Sequence, residues 1–107
     1  MARTVNTQEG YNGHMDSRVS RNEERRRYEL EIEGRLVGVA DYVVDGDVVV
    51  LPHTEIDRTQ RGRGLGAILV QGALDDVRAQ GRSVVPSCWY VREYIDAHPD
   101  EADLLAG

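Results

Sequence analysis

A segment rich in glycine and arginine contains the residues best suited to chemistry in this sequence. It reads Arg61-Gly62-Arg63-Gly64-Leu65-Gly66, and a long run with helical periodicity follows directly. Glycines at alternate positions remove the β-carbons that would keep an anion away from the backbone. The first N–H groups of a helix lack intrahelical partners and lie at the positive end of its dipole. We therefore predict a diphosphate-binding turn here. Its donors are the N–H groups of Gly64, Leu65, Gly66 and Ala67, and its added charges are those of Arg61 and Arg63.

Two other interpretations fit the same segment. It resembles a solvated loop whose arginines face water, and Gly62-x-Gly64-x-x-Ala67 formally matches the dinucleotide-binding fingerprint. That fingerprint requires a tight turn directly after a strand and an acidic residue about twenty positions later. Here the predicted strand ends at Ile56, well before Gly62, and no acidic residue lies at that distance. We therefore reject the fingerprint. The strand before the segment and the helix after it favour phosphate binding over a solvated loop.

Hydrophobic periodicity predicts the strands that hold this turn. Alternating apolar and polar residues predict strands over residues 25–33 and 36–44. The sequence Asp45-Gly46-Asp47 predicts a hairpin turn into a third strand over residues 48–56. The start of that strand is apolar on both faces, which predicts a central position in the sheet. Pro52 cannot donate a ladder hydrogen bond, so we expect a bulge or a splayed edge near it.

The second half of the domain is predicted to be mainly helical. Apolar residues at helical spacing predict a long helix over residues 65–81, followed by a short strand over residues 82–87. A second helix is predicted from Cys88 or Trp89 to His98, where Pro99 ends it. The order βββαβα predicts an α/β (α+β) fold with a mixed sheet and two helices. A strand, a helix and a strand in series imply a parallel crossover between the third and fourth strands.

Composition and charge exclude several classes of protein. The chain has 107 residues, which allows one hydrophobic core, and 30% of them are charged, as in ordinary soluble domains. The net charge of −6 argues against sequence-independent nucleic-acid binding, which depends on basic side chains that neutralise phosphates. No apolar run is long enough to span a bilayer and no secretory signal is evident. We therefore expect a cytoplasmic protein that does not contact membranes.

The chain is predicted to contain one domain. Residues 1–24 are polar with scattered aliphatic residues, so we predict a disordered N-terminal arm followed by a single domain over residues 25–107. The single cysteine, Cys88, cannot form an intramolecular disulfide. The spacing of His53, Cys88 and His98 matches no pattern of paired metal ligands, and no structural metal is expected.

Three segments in order resemble one enzyme family. Arg61-x-x-Gly64-x-Gly66 resembles the pyrophosphate-binding motif of the GNAT acetyltransferases. His53-Thr54-Glu55-Ile56 before it and Pro86-Ser87-Cys88-Trp89-Tyr90-Val91 after it resemble the short, stand-alone GNAT-like enzymes. The resemblance covers about residues 28–105. It implies a minimal GNAT-like fold, acetyl-CoA as cofactor, and transfer of an acetyl group to an amine of a protein or small molecule.

The resemblance also implies roles for individual residues. The third and fourth strands would splay apart, and the pantetheine arm would pair with the backbone from Thr54 to Ile56. The thioester would then lie near Cys88, which is either a transient acyl acceptor, the acid that protonates the leaving thiolate, or simply a small buried residue. Isolated histidines are often ordinary polar side chains, but His53 is our candidate general base, with Glu55 as its rival.

Two tyrosines lie one helical turn apart after this cysteine. Tyr90 and Tyr94 are both within possible reach of the thiolate, and core packing is the alternative for each. We place Tyr90 with the cofactor-binding residues.

The sequence departs from larger members of the family at both ends. It lacks the helices that normally follow their first strand and the final strands that wall their acceptor site. The acceptor site is therefore open, completed by a second subunit, or absent, and the chain is a monomer or a homodimer. The alternative function is a non-catalytic module that binds or senses acyl-CoA. A weaker alternative is an interaction domain that binds no cofactor.

Overall fold

Six strands in chain order form one sheet in the computed structural model, which describes residues 16–106 in full and the backbone of residues 2–7. The strands are β1 (Ala2–Thr7), β2 (Ser17–Asn22), β3 (Arg27–Ile32), β4 (Arg35–Asp45), β5 (Val48–Ile56) and β6 (Ser83–Val85). The helices are α1 (Leu65–Ala79) and α2 (Trp89–Ala97), with 3₁₀ turns at Arg58–Gln60 and Pro99–Leu104.

The sheet is mixed, as the sequence predicts. Strands β1 to β5 pair antiparallel with their neighbours, and β6 pairs parallel with β5 after the crossover through α1. β5 is therefore an inner strand, as its two-sided apolar start predicts. The mixed sheet with two α-helices confirms the predicted fold class. No helix of the described residues is long and apolar enough to cross a membrane.

The predicted disordered arm over residues 1–24 is wrong for the two segments that form β1 and β2. β2 pairs with β3 along its whole length, and Val19 is fully buried against α1. A β-carbon on Gly72 of α1 would lie 2.6 Å from the Cβ of Val19, so helix and strand are in close contact. The apolar pattern is weak because the other residues on this face of β2, Ser17 and Arg21, are polar. Residues 1 and 8–15 of the predicted arm lie outside the described residues.

The core lies on the face of the sheet that carries α1. Large buried side chains from the strands, including Leu30, Val49 and Leu51, pack with Leu69 and Leu74 of α1 in one cluster. The other face is less covered. Its residues on β4, β5 and β6 are all half-buried or exposed, namely Val39, Asp41, Val43, Val48, Val50, Ser83 and Val85.

A buried ion pair joins β2 to α1. The guanidinium of Arg21 donates to Asp76, and the two side chains are 10% and 1% exposed. The hydroxyl of Tyr28 and the side-chain amide of Gln80 each donate to the same carboxylate at 2.8 Å. Burial, then the contact with Asp76, raises the pKa of Tyr28, so its hydroxyl stays protonated and keeps donating. With four groups in one network, each buried charge has a partner.

Removal of the Asp76 carboxylate should destabilise the fold strongly. Asp76→Ala leaves the Arg21 charge buried without its partner, so we expect the free energy of unfolding in urea to fall by about 3 kcal/mol or more. Asp96→Ala is the matched control, because Asp96 is exposed and lies 4.0 Å from Arg92. It should change stability by less than about 0.5 kcal/mol. Similar losses in the two variants would contradict this role of the buried pair.

Candidate functional site

The parallel pair β5 and β6 separates after three residues. Val48, Val49 and Val50 pair with Ser83, Val84 and Val85, and β5 then continues to Ile56 paired only with β4. The chain after β6 turns away into α2, and the last link between them is a hydrogen bond of 2.9 Å from the Cys88 N–H to the Leu51 carbonyl. The edge of β5 beyond this point therefore faces a gap rather than a strand.

A bulge in β5 begins this separation. β4 advances from Asp41 to Val43 while the paired positions in β5 run from His53 to Val50, so β5 holds one extra residue around Pro52. The bulge confirms the irregularity predicted at this proline. It also changes which side chains face α1. Thr54 and Ile56 now face the helix, whereas His53 and Glu55 lie on the opposite face of the sheet with their neighbours on β4.

The gap opens into a cavity of about 860 Å³. Its walls are residues 52–56 of β5, the segment 60–66 before and into α1, and residues 87–90 at the start of α2. Every residue predicted for the site lines this cavity except Arg63 and Ala67. The sequence interpretation missed four other lining residues, which are Pro52, Gln60, Ser87 and Trp89. The available signal for Ser87 and Trp89 was their position on either side of Cys88 in the segment that resembles the GNAT-like enzymes.

The turn before α1 leaves the helix N-terminus open. Gly64 is the N-cap with φ +74°, and it offers no side chain to cap the helix. A β-carbon on Gly62 or Gly64 would meet no atom within 4 Å, so the space in front of both is empty. The first N–H groups of α1 have no intrahelical partners, because helix geometry gives them none. The turn therefore leaves room for an anion, and anion binding by it stays a prediction.

Side chains in the turn hold its shape. Asp57 accepts hydrogen bonds from the N–H and hydroxyl of Thr59 at 2.8 and 2.7 Å, and these bonds lower the pKa of its carboxyl. Arg61 donates from Nε to the Ile56 carbonyl at 3.3 Å, which ties it to the end of β5. Arg63 donates a hydrogen bond to the side chain of Gln60 in the same turn, and Arg63 does not line the cavity.

Gly66 has a different reason to be glycine. A β-carbon there would lie 2.6 Å from the hydroxyl oxygen of Tyr90 and 2.9 Å from its Cζ. The missing side chain therefore lets the ring from α2 pack against the first turn of α1. Burial, with a smaller contribution from the charge of Glu93, raises the pKa of Tyr90. Its phenol is therefore protonated at neutral pH.

The position of Cys88 is compatible with a role in packing and with a role in the cavity. It is 9% exposed and belongs to the buried core cluster, yet it also lines the cavity as the residue immediately before α2.

On the facing strand, the hydroxyl oxygen of Thr54 is buried and has no hydrogen-bond partner among the described residues. A buried polar atom of this kind usually has a partner, so a ligand in the cavity is a natural one.

His53 and Glu55 form a polar pair at the mouth of the cavity. Nε2 of His53 lies 3.4 Å from Oε1 of Glu55, and their side chains are 57% and 63% exposed.

Tyr94 is not part of this site. Its hydroxyl bonds the side chain of Gln71 on α1 and its ring stacks on His98 at 3.9 Å, so packing accounts for it.

Comparison with known proteins identifies the family. A family model described as GCN5-related N-acetyl-transferase matches residues 27–104. The chain belongs to this family. It is similar to Protein NATD1 from Mus musculus, with 33% identity over 85 residues that cover 77% of this chain and 76% of that protein. Protein NATD1 from Homo sapiens is also 33% identical over 85 residues, which cover 77% of this chain and 74% of that protein.

A solved structure of the family supports the fold. The chain is similar to the ribosomal-protein-S18-alanine N-acetyltransferase from Escherichia coli with a TM-score of 0.51 and 22% identity. The match covers 55% of this chain and 40% of that chain, so it concerns the architecture alone. The segment that begins at Arg61 thus lies in the fold that the resemblance implies. Among the described residues, no cluster of three or more metal-ligating side chains is present.

A double-mutant cycle tests the contact between Gly66 and Tyr90. Gly66→Ala places a β-carbon against the ring and should lower the free energy of unfolding by about 1–3 kcal/mol. In the Tyr90→Ala background the clash is gone, so the same substitution should be nearly neutral, with a coupling energy of about 1 kcal/mol or more. Denaturant unfolding of the four proteins gives this value.

Gly62→Ala is the control for that cycle. Its cost arises from φ +83°, with no atom near the added carbon, so it should add to Tyr90→Ala within about 0.5 kcal/mol. Equal coupling for Gly62 and Gly66 would refute the packing explanation.

Proposed function

We propose that this protein is an acetyl-CoA-dependent N-acetyltransferase that acts on an amine of a protein or small molecule in the cytoplasm. The cavity between β5 and β6 carries the proposal. One continuous space joins the open N-terminus of α1, the unpaired edge of β5, Cys88, and the His53–Glu55 pair. A volume of about 860 Å³ suits an elongated ligand rather than a single ion.

The residues present fit acetyl-CoA along its length. The N–H groups of Leu65, Gly66 and Ala67 would hold the diphosphate at the positive end of α1. The open space at Gly62 and Gly64 would let the phosphates approach the backbone, and the charges of Arg61 and Arg63 would add to this site. Supporting evidence is the absence of any side-chain cap on the helix.

The pantetheine arm fits the free edge of β5. Pairing with β6 ends at Val50, so from Thr54 to Ile56 the edge of β5 opposite β4 borders the cavity without a strand beside it. An extended ligand can pair with such an edge as an added strand. The unpartnered hydroxyl of Thr54 supports this placement, because it gives the ligand a polar atom to bond.

Acetyl-CoA, when bound, supplies an activated thioester carbonyl. The residues of this chain would hold that carbonyl against a backbone N–H of β5 and present it to the amine. His53 would accept a proton from the acceptor ammonium, with Glu55 orienting the imidazole or acting as base in its place. Tyr90 would return a proton to the departing thiolate, since its phenol is protonated at neutral pH.

Cys88 is proposed to act in one of two ways. It either supports direct transfer, as a proton donor to the thiolate beside Tyr90, or carries the acetyl group briefly as a thioester. Its position on the cavity wall allows both routes. The intact mass of the protein after incubation with acetyl-CoA alone distinguishes them, since only the second route adds an acetyl group at Cys88.

A non-catalytic module that binds acyl-CoA is the second candidate. The observation that favours it is the high exposure of His53 and Glu55, because an enclosed acceptor site would bury them further. In that case the cavity would bind acetyl-CoA without turnover. Substitutions of His53 would then leave every measurable property of the complex unchanged.

A pair of glycine variants tests the diphosphate site. Gly64→Val and Gly81→Val both place a side chain at a positive φ, +74° and +72°, with no neighbouring atom within 4 Å. Both therefore carry a similar backbone strain, which lowers stability. Only Gly64→Val fills the space before α1, so we expect its Kd for CoA to rise about tenfold or more, since each 1.4 kcal/mol is tenfold. Calorimetry on the folded fractions measures both. An equal effect of Gly81→Val, or none of Gly64→Val, would remove the site.

Kinetic analysis tests the proposed base. His53→Ala should lower kcat/KM for an amine found in a panel of peptides and small amines by about a hundredfold or more, because a positioned base contributes that much. Glu55→Gln should lower it less, since Glu55 acts through its contact with His53. The affinity for CoA should be unchanged in both. A larger loss in Glu55→Gln would instead assign Glu55 as the base, and a matching loss of CoA affinity would argue against a catalytic role.

A further inference from the structure

Trp89 is the most exposed large apolar side chain of the described residues. It is 72% exposed, although it is the first residue of α2 and borders the cavity beside Cys88. Its ring meets the ring of Tyr90 edge to face, with centroids 5.8 Å apart and an interplanar angle of 85°. The proposed binding of acetyl-CoA assigns it no role. Exposed aromatic residues of this kind are common binding anchors.

The charges around the cavity differ between its two ends. The end at the N-terminus of α1 carries Arg61, with Arg58 and Arg63 in the same turn. The opposite end carries Glu55. Its neighbour Asp41 lies between His53 of β5 and Arg27 of β3 on the same face of the sheet, and Arg27 is ion-paired with Glu29 at 2.9 Å. One end is therefore basic, as phosphates require, and the other is predominantly acidic.

The helix on the far side of the mouth has the same sign. Glu93 is exposed and lies one turn after Trp89, so both are on one side of α2. Arg92, three residues after Trp89, lies on this side too, and it is 4.0 Å from Asp96, so α2 carries one basic and two acidic groups here. The α2 side of the cavity is therefore net acidic, as the Glu55 side is.

We propose that Trp89 and Glu55 form an acceptor subsite that takes an amine on a basic peptide. This inference rests on the proposed acetyltransferase function. An indole face attracts alkylammonium and guanidinium groups, and the acidic residues at this end add Coulombic attraction. The sheet face beside the subsite is uncovered at Val39 and Asp41, which gives an extended peptide room beyond the reacting amine. An acidic chain would meet like charge, and a neutral chain would gain no Coulombic attraction.

The fluorescence of Trp89 can report binding at this subsite. Trp89 is the sole tryptophan, so fluorescence excited at its absorption reports on this position alone. We would saturate the full-length protein with CoA and add a peptide with a lysine flanked by arginines. The matched peptide has the same length and lysine but glutamate flanks. We expect a saturable change in tryptophan emission with the basic peptide. The affinity for the acidic peptide should be weaker by at least about tenfold, because charge complementarity is lost.

Two substitutions separate the indole from general packing. Trp89→Ala should weaken binding of the basic peptide about tenfold by calorimetry. Trp89→Phe retains an aromatic face, so its affinity for the peptide should lie between those of the wild type and Trp89→Ala. Kd for CoA should not change in either variant. In turnover assays the loss in Trp89→Ala should be in KM for the peptide rather than in kcat.

Several results would overturn the subsite. They are equal affinity for the two peptides, no saturable emission change with the basic peptide, and wild-type affinity in Trp89→Ala. An emission change that follows protein concentration rather than peptide would mean that a second copy covers Trp89, and it would overturn the subsite as well. Failure of the wild type to bind CoA would instead refute the proposed function, so the two failures are distinguishable.

Discussion

The early separation of β5 from β6 is the constraint on which the candidate site depends. Three residue pairs hold the strands together, and the bulge at Pro52 then turns β5 away while the Cys88 N–H remains bonded to Leu51. If pairing continued, the edge of β5 would be filled and no cavity would separate α1 from α2. Leu51 and Cys88, which face each other where the strands separate, both belong to the buried core cluster.

Helix α1 connects this gap to the rest of the molecule. Its first turn borders the cavity, its middle packs on β2 through Gly72, and Asp76 near its end holds Arg21. The N-terminal strands thus stabilise the helix whose amides form the proposed diphosphate site. A change in β2 can therefore reach the site through α1, although no residue of β2 lines the cavity.

Glycines in and near the site serve different physical purposes. Gly62 and Gly64 have positive φ and face open space, which fits a role in the turn and in anion access. Gly66 and Gly72 make room for Tyr90 and Val19, so they determine how closely α2 and β2 approach α1. The sequence motif treats Gly64 and Gly66 alike, because spacing contains no information about what a missing β-carbon would touch.

The sequence by itself determined the mixed sheet, the two helices, the hairpin, the bulge and the segments that line the cavity, since periodicity, turn residues and motif order are local signals. It did not determine β2, because that strand is stabilised by a long-range pair between Arg21 and Asp76 that local pattern cannot register. Nor did it determine that Trp89 is exposed at the mouth, or that the bulge places His53 and Glu55 on the face away from α1. Those features arise from contacts between residues distant in the chain, and only the tertiary structure decided them.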